Sequence, residues 1–217
     1  LLASSAASDV YKRQFYILCI SVLVLIACSG AESTEIVKRG FERAEEQLSN
    51  QLQAVPQTTD YPRTIGKDGN LRVTHKNDWT EGFYPGCLWY VYEYTNKDNW
   101  KEAAIRWTEA LEPLKKLTNH HDIGFLMYCS FGNAYRLTGN EAYKDVLVEA
   151  ARSLCTRFSE KTGSIKSWNY RKSWNGRDEW FYPVIIDNMM NLELLYFATK
   201  VTGDSIYAQI ANRHAET

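Results

Sequence analysis

One turn recurs three times in this chain, and it constrains the fold more than any other feature. Tyr94-Thr95-Asn96-Lys97-Asp98-Asn99-Trp100, Leu137-Thr138-Gly139-Asn140-Glu141-Ala142-Tyr143 and Val201-Thr202-Gly203-Asp204-Ser205-Ile206-Tyr207 each run from Thr through Gly or Asn and a polar residue to an aromatic. Gly or Asn takes the left-handed conformation that closes a helix, and Asn or Asp caps the next one. The first two threonines are 43 residues apart and the next two 64, the excess being a Gly/Trp/Asn-rich loop at 162–180. A period of that size with two helices per unit means stacked helical hairpins. In each unit the first helix is the more apolar (83–94, 123–137, 183–200). The second carries charge on one face (100–117, 141–157, 204–216). An apolar inner layer and an amphipathic outer layer predict an all-α toroid of hairpins, with an open helical solenoid as the competing architecture.

The rest of the chain fits around this core. A helix is expected over 35–52, with Ile36, Val37, Phe41, Ala44, Leu48 and Leu52 on one face. The prolines at 56 and 62 and Gly66-Lys67-Asp68-Gly69 predict a long loop over 54–78. With 25 basic and 26 acidic residues, nothing points to a nucleic-acid partner or a polyanion-coating surface. Seven Trp and fourteen Tyr, several in polar loops, suit a carbohydrate cleft, although such residues also pack between helices.

Residues 1–14 lack an initiating Met and do not match the apolar run after them, so they are expected to be an artefactual leader. Residues 15–28 form that run, which has the length of a signal-peptide core and is too short to span a bilayer comfortably. It ends in Leu25-Ile26-Ala27-Cys28, which resembles a bacterial lipoprotein cleavage box with Cys28 as the lipidated residue. An ordinary signal peptide or a short anchor helix is the alternative. Export follows from the first two readings, and a lipid at Cys28 would be the only membrane contact. Residues 29–217 are then expected to belong to one domain. Cys87, Cys129 and Cys155 lack metal-ligand spacing and are expected to be buried thiols.

Inner helices that run in the same sense open their N-terminal ends on one mouth. Trp79-Thr80-Glu81-Gly82-Phe83, His120-His121-Asp122 and Asp187-Asn188 lie at those ends, and Ser167-Trp168-Asn169-Tyr170 precedes the third. Asp187 follows three apolar residues and precedes two methionines, so burial should raise its pKa unless hydrogen bonds or positive charge oppose it. A carboxyl group that holds its proton near neutrality is suited to general acid/base work. The competing reading is that Asp122 and Asp187 are helix N-caps. Glu81 either binds sugar hydroxyls or caps its helix. Arg171, Lys172, Arg177, Asp178 and Glu179 either read an anionic group or solvate the loop.

Asp78-Trp79-Thr80-Glu81-Gly82-Phe83, His120-His121-Asp122-Ile123-Gly124-Phe125, Ile165-Lys166-Ser167-Trp168 and Ile185-Ile186-Asp187 together resemble glycoside hydrolase family 88, the unsaturated glucuronyl hydrolases. The resemblance runs over about 35–217. It implies an (α/α)6 barrel that removes 4,5-unsaturated uronic acid from lyase-generated oligosaccharides, with neither metal nor organic cofactor. It also implies Asp187 as general acid/base, Asp122 as the second essential carboxylate, and His121, Trp79 and Trp168 as substrate-binding residues. His120 has no assigned role. The family barrel implies twelve helices where seven are readable, so the sequence is expected to be the N-terminal portion of a longer protein and inactive alone. An unsaturated rhamnogalacturonyl hydrolase, a sugar epimerase of the same fold and a non-catalytic glycan-binding lipoprotein are the rival functions.

Overall fold

The computed structural model describes residues 34–75 and 77–217. The leader, the apolar run at 15–28 and Cys28 lie outside the described residues. The chain divides into two compact units between Ser49 and Asn50. The first contributes most of helix α1 (34–54), as the apolar periodicity predicts; on it Arg43 pairs with Glu46 at 2.5 Å. No helix among the described residues is long and apolar enough to cross a membrane.

The second unit opens on a hairpin where a loop is expected. Strands β1 (Asp60–Ile65) and β2 (Leu71–His75) pair antiparallel around the Gly66–Asn70 turn, with an irregularity between Pro62 and Thr64. Proline has no N–H to give a ladder, which is why a bulge accommodates it. What holds the hairpin is Tyr61, fully buried, its ring edge-on to Trp107 at 5.0 Å and its hydroxyl donating to the Trp107 carbonyl at 3.3 Å.

The remaining helices among the described residues form three hairpins. They are α2 (Phe83–Thr95) with α3 (Asp98–Glu109); α4 (Ile123–Met127) and α5 (Asn133–Thr138) with α6 (Glu141–Cys155); and α7 (Asn188–Thr202) with α8 (Ile206–Glu216). The recurring turn has one construction throughout. Asn96, Gly139 and Gly203 take φ of 54°, 67° and 76°, the region where a Cβ is costly and Gly or Asn is favoured. Thr95, Thr138 and Thr202 each donate a hydroxyl to the carbonyl four residues back, and each accepts the N–H two residues on. Asn140 then caps α6, and Asp204, just before the Ser205 N-cap of α8, accepts the Ile206 N–H in the same way; Lys97 occupies that place in the first turn.

The repeat also sets what is buried. Trp100, Ala103, Ala104 and Trp107 of α3 correspond in register to Tyr143, Val146, Leu147 and Ala150 of α6, and to Tyr207, Ile210, Ala211 and His214 of α8. All twelve are buried. One i, i+3, i+4, i+7 stripe therefore seats every outer helix on the inner layer. Trp89 of α2 reaches across the first hairpin and donates from Nε1 to Thr108 Oγ at 2.9 Å. Trp89→Phe is expected to lose about 1 kcal/mol from that bond alone, read as a lower denaturant midpoint with unchanged slope.

Several boundaries differ from expectation. The first outer helix stops at Glu109, and a 3₁₀ turn over Glu112–Lys116 replaces its last turn, because Pro113 cannot continue the α ladder. The second inner helix is continuous over 123–138 but widens into a π turn at Tyr128–Gly132. There Ser130 donates to the Leu126 carbonyl and Asn133 to that of Cys129, side-chain bonds that serve carbonyls at the widened turn. The third begins only at Asn188, since 183–187 is used to hold the preceding loop. That loop carries two more short hairpins, β3 (Phe158–Ser159) with β4 (Ser164–Ile165) and β5 (Arg171–Lys172) with β6 (Glu179–Trp180). The thiols are not all buried: Cys87 is exposed, sharing the open face of α2 with Tyr90 and Tyr94, while Cys129 and Cys155 are half-buried.

Candidate active site

Asp122 and Asp187 stand at the N-cap positions of α4 and α7, but neither side chain makes a capping hydrogen bond. Both residues have helical backbone angles instead of the extended ones a capping residue takes (φ −62°, ψ −11° and φ −64°, ψ −13°). The carboxylates are thereby available for other work. Both turn to one imidazole: His121 Nε2 lies 3.3 Å from Asp122 Oδ1 and 3.7 Å from Asp187 Oδ1. His120 approaches from the other side, its Nδ1 3.2 Å from Asp122 Oδ2. Sequence reasoning left His120 without a part; here it is buried against the more enclosed carboxylate.

Why these groups meet is a matter of two close approaches. Helices α4 and α7 touch at Gly124, where a Cβ would stand 2.4 Å from the Asn191 Cβ and 2.5 Å from its Oδ1. Only a bare Cα lets Asn191 Oδ1 accept the Phe125 N–H at 2.9 Å. That bond joins the first turns of the two helices that carry the carboxylates.

The loop at 164–185 makes the second approach. The His121 N–H donates to the Ser167 carbonyl at 3.0 Å, and the Ser167 N–H to Pro183 at 2.8 Å. The Ile185 N–H donates to Ser167 Oγ at 3.1 Å, and that hydroxyl lies 3.4 Å from His121 Nδ1. Asn188 donates its amide to the Ile165 carbonyl at 2.7 Å, while Ile165 donates its N–H to His214 Nδ1 at 3.1 Å. Arg157 ties the loop base, donating from Nε to Lys166 O at 2.7 Å and from Nη1 to Thr118 O and Asn169 Oδ1. Sequence reasoning gave Arg157, Asn188, Asn191 and His214 no role. Two buried asparagines three apart in an apolar helix were the available signal.

The electrostatics follow from burial. Asp187 is raised above the ordinary carboxylate value, first by desolvation and also by the Asp122 charge, with His121 opposing. The direction matches the sequence expectation, but the surroundings do not. Ile186, Met189 and Met190 are exposed and the Asp187 side chain is itself 42% exposed, whereas Asp122 is the buried member at 6%. His121 is pulled below the ordinary imidazole value by burial, against the pull of Asp122. Asp187 and His121 each feel the other's charge, so these two do not titrate independently. With Asp122 they also present one nitrogen and two oxygens within 4.8 Å of one another, a set able to hold a cation.

The predicted aromatics flank this centre. Trp168 sits edge-on to His121 at 5.9 Å, and its backbone pairs with that of His120. Trp79, 45% exposed, packs edge-on against Phe125, three residues past Asp122, with the Arg63 guanidinium 5.1 Å from its ring. Glu81 is not free to meet a sugar: it is fully buried and accepts the Asn77 N–H at 2.9 Å.

No protein-family model matches the chain. It is 37% identical over 217 residues to the unsaturated glucuronyl hydrolase of Formosa agariphila, a match covering 95% of the chain and 52% of that protein. A crystal structure of an unsaturated glucuronyl hydrolase specific for heparin superposes with TM-score 0.75 at 40% identity, over 82% of the chain and 46% of its own. The chain belongs to the unsaturated glucuronyl hydrolase family. Its helical hairpins are part of the (α/α)6 barrel of that family. The unsaturated chondroitin disaccharide hydrolase of Streptococcus agalactiae is 33% identical over 183 residues, covering 82% of the chain and 44% of that protein. The chain thus spans about half the length of the curated relatives it matches.

Proposed function

We propose that the whole protein removes a 4,5-unsaturated uronic acid from the non-reducing end of glycosaminoglycan-type oligosaccharides by hydrating the C4=C5 enol ether. The observation that carries this is the pair of uncapped, helix-terminal carboxylates converging on His121. In this reading protonated Asp187 delivers its proton to C4, and the resulting positive charge develops at C5 and the ring oxygen. The Asp187 carboxylate then takes a proton from the water that adds to C5. The product is a hemiketal. Its C5–O bond breaks to give a 5-keto group and a hemiacetal at C1, which expels the next sugar as an alcohol. Asp122 orients the substrate and, through its charge, helps burial keep Asp187 protonated to higher pH against the opposing pull of His121; burial of His121 disfavours its charged form and so limits that pull. Trp79 and Trp168 offer flat faces to the sugar.

Unsaturated uronates absorb in the ultraviolet through the conjugated enol ether. Incubation of the whole protein with unsaturated chondroitin and heparin disaccharides is expected to abolish that absorbance. A folded protein that leaves every such substrate intact would favour the epimerase or binding-protein readings instead.

The pH profile gives a second check. The acid form of Asp187 is the one that reacts, so kcat/KM falls as pH rises through the Asp187 pKa. Because that pKa is raised, the alkaline limb is expected above the usual carboxylate range. A limb at about pH 4 would remove Asp187 as the proton donor.

Export through residues 15–28 and lipid anchoring at Cys28 belong to the same proposal, with mass spectrometry of the mature N-terminus as their test.

A further inference from the structure

The groove beyond Trp168 is not used by the chemistry above. It has a volume of about 580 Å³ and is lined by Trp168, Arg171, Trp174, Trp180, Phe181 and Pro183, among others. Its wall is a ladder of flat groups. The Arg171 guanidinium lies 5.2 Å from the Trp168 ring and 4.7 Å from the Trp174 ring, so it is held between two indoles. Across the β5–β6 pair, Trp180 stands directly opposite Arg171. Among the described residues no carboxylate lies within ion-pair distance of Arg171; Glu179, which also borders the groove, accepts from the Tyr170 hydroxyl at 3.1 Å.

Trp174 is 88% exposed, Phe181 66% and Trp180 42%. Bulky aromatics left open on a tight hairpin are costly unless something covers them. Continuity says what that is. Trp168 is edge-on to His121 and also lines the groove, so a chain of sugars starting at His121 can run on into the ladder.

We propose that this groove is a subsite for the leaving-group part of an oligosaccharide, binding sugars beyond the first glycosidic bond by stacking on Trp174 and Trp180. The Arg171 guanidinium faces an anionic substituent on one of them. Aromatic faces carry the apolar sides of the sugar rings, and a guanidinium held flat by two indoles has its N–H edges free for a carboxylate or sulfate. The inference rests on the proposed reaction only for the direction in which the sugar chain enters.

The test compares binding in whole proteins that do not consume ligand. Calorimetry would titrate an unsaturated tetrasaccharide, sulfated and unsulfated, and the matching disaccharides into Asp187→Asn and into Asp187→Asn/Trp174→Ala. Since Trp174 is almost fully exposed, its removal leaves the core packing intact and takes away only one of the two indoles beside Arg171. Loss of Trp174 is expected to weaken tetrasaccharide binding about tenfold and to shrink its advantage over the disaccharide. An Arg171→Gln change in the same background separates the anions: a sulfate as partner weakens only the sulfated ligand, a carboxylate both. Equal tetrasaccharide affinity with and without Trp174, or no binding in either, overturns the groove. Failure of the reaction itself shows separately, as persistent ultraviolet absorbance in the unsubstituted protein while Trp174-dependent binding survives.

Discussion

Asp187→Asn is expected to lower turnover of an unsaturated disaccharide by at least about 10³-fold while leaving the substrate able to bind. General acid/base groups contribute on the order of 10²–10⁴-fold, and here one carboxyl serves both proton transfers, so its loss falls toward the upper end. The amide matches the acid in shape and size. It can hold the substrate but has no proton to give C4 and cannot take one from water. Structure should be unaffected, because the side chain caps nothing and is 42% exposed. The decisive comparison sets ultraviolet turnover against calorimetric binding on one preparation. Full turnover by the variant would remove Asp187 from the chemistry; loss of binding together with turnover would make it a substrate anchor.

The second large effect is structural. Gly124→Ala would place a methyl group 2.4 Å from the Asn191 Cβ and 2.6 Å from its Cα. Neither atom is the end of a flexible side chain, so α4 and α7 must separate. Overpacking of this kind costs about 1–3 kcal/mol, and the bond from Phe125 N–H to Asn191 Oδ1 is lost with it. Because α4 and α7 carry the two carboxylates, the Asp122–His121–Asp187 spacing opens too. A lower melting temperature and a fall in kcat exceeding any rise in KM are the expected result. An unchanged melt with unchanged kcat would mean that the helices yield freely at this contact.

Much of the architecture is readable from residue order, and for a definite reason. Helical hairpins are held by local rules: a left-handed Gly or Asn, a threonine that bonds both ways, a stripe at i, i+3, i+4, i+7. Each leaves its mark on adjacent residues. The three turns, the inner and outer layers and the common mouth all come from such marks. Where local rules mislead, a longer-range contact has taken over. The β1–β2 hairpin looks like a loop because its prolines and glycines are visible in sequence, whereas the burial of Tyr61 against Trp107, 46 residues away, is not. The late start of α7 has the same origin, since 183–187 is drawn out to bond Ser167.

The candidate site divides along the same line. The candidate residues were singled out by the sequence alone: two aspartates at helix starts, His121 and two loop tryptophans, recognisable by type and order. What those residues do to one another depends on distances between segments 46 to 66 residues apart. Only the folded chain decided that neither aspartate caps its helix, that Asp122 and not Asp187 is the buried acid, and that Glu81 is sealed inside. Capping, burial and proton affinity are properties of surroundings, and those surroundings are assembled by Gly124, Ser167, Asn188 and Asn191 from parts of the chain that sequence order keeps apart.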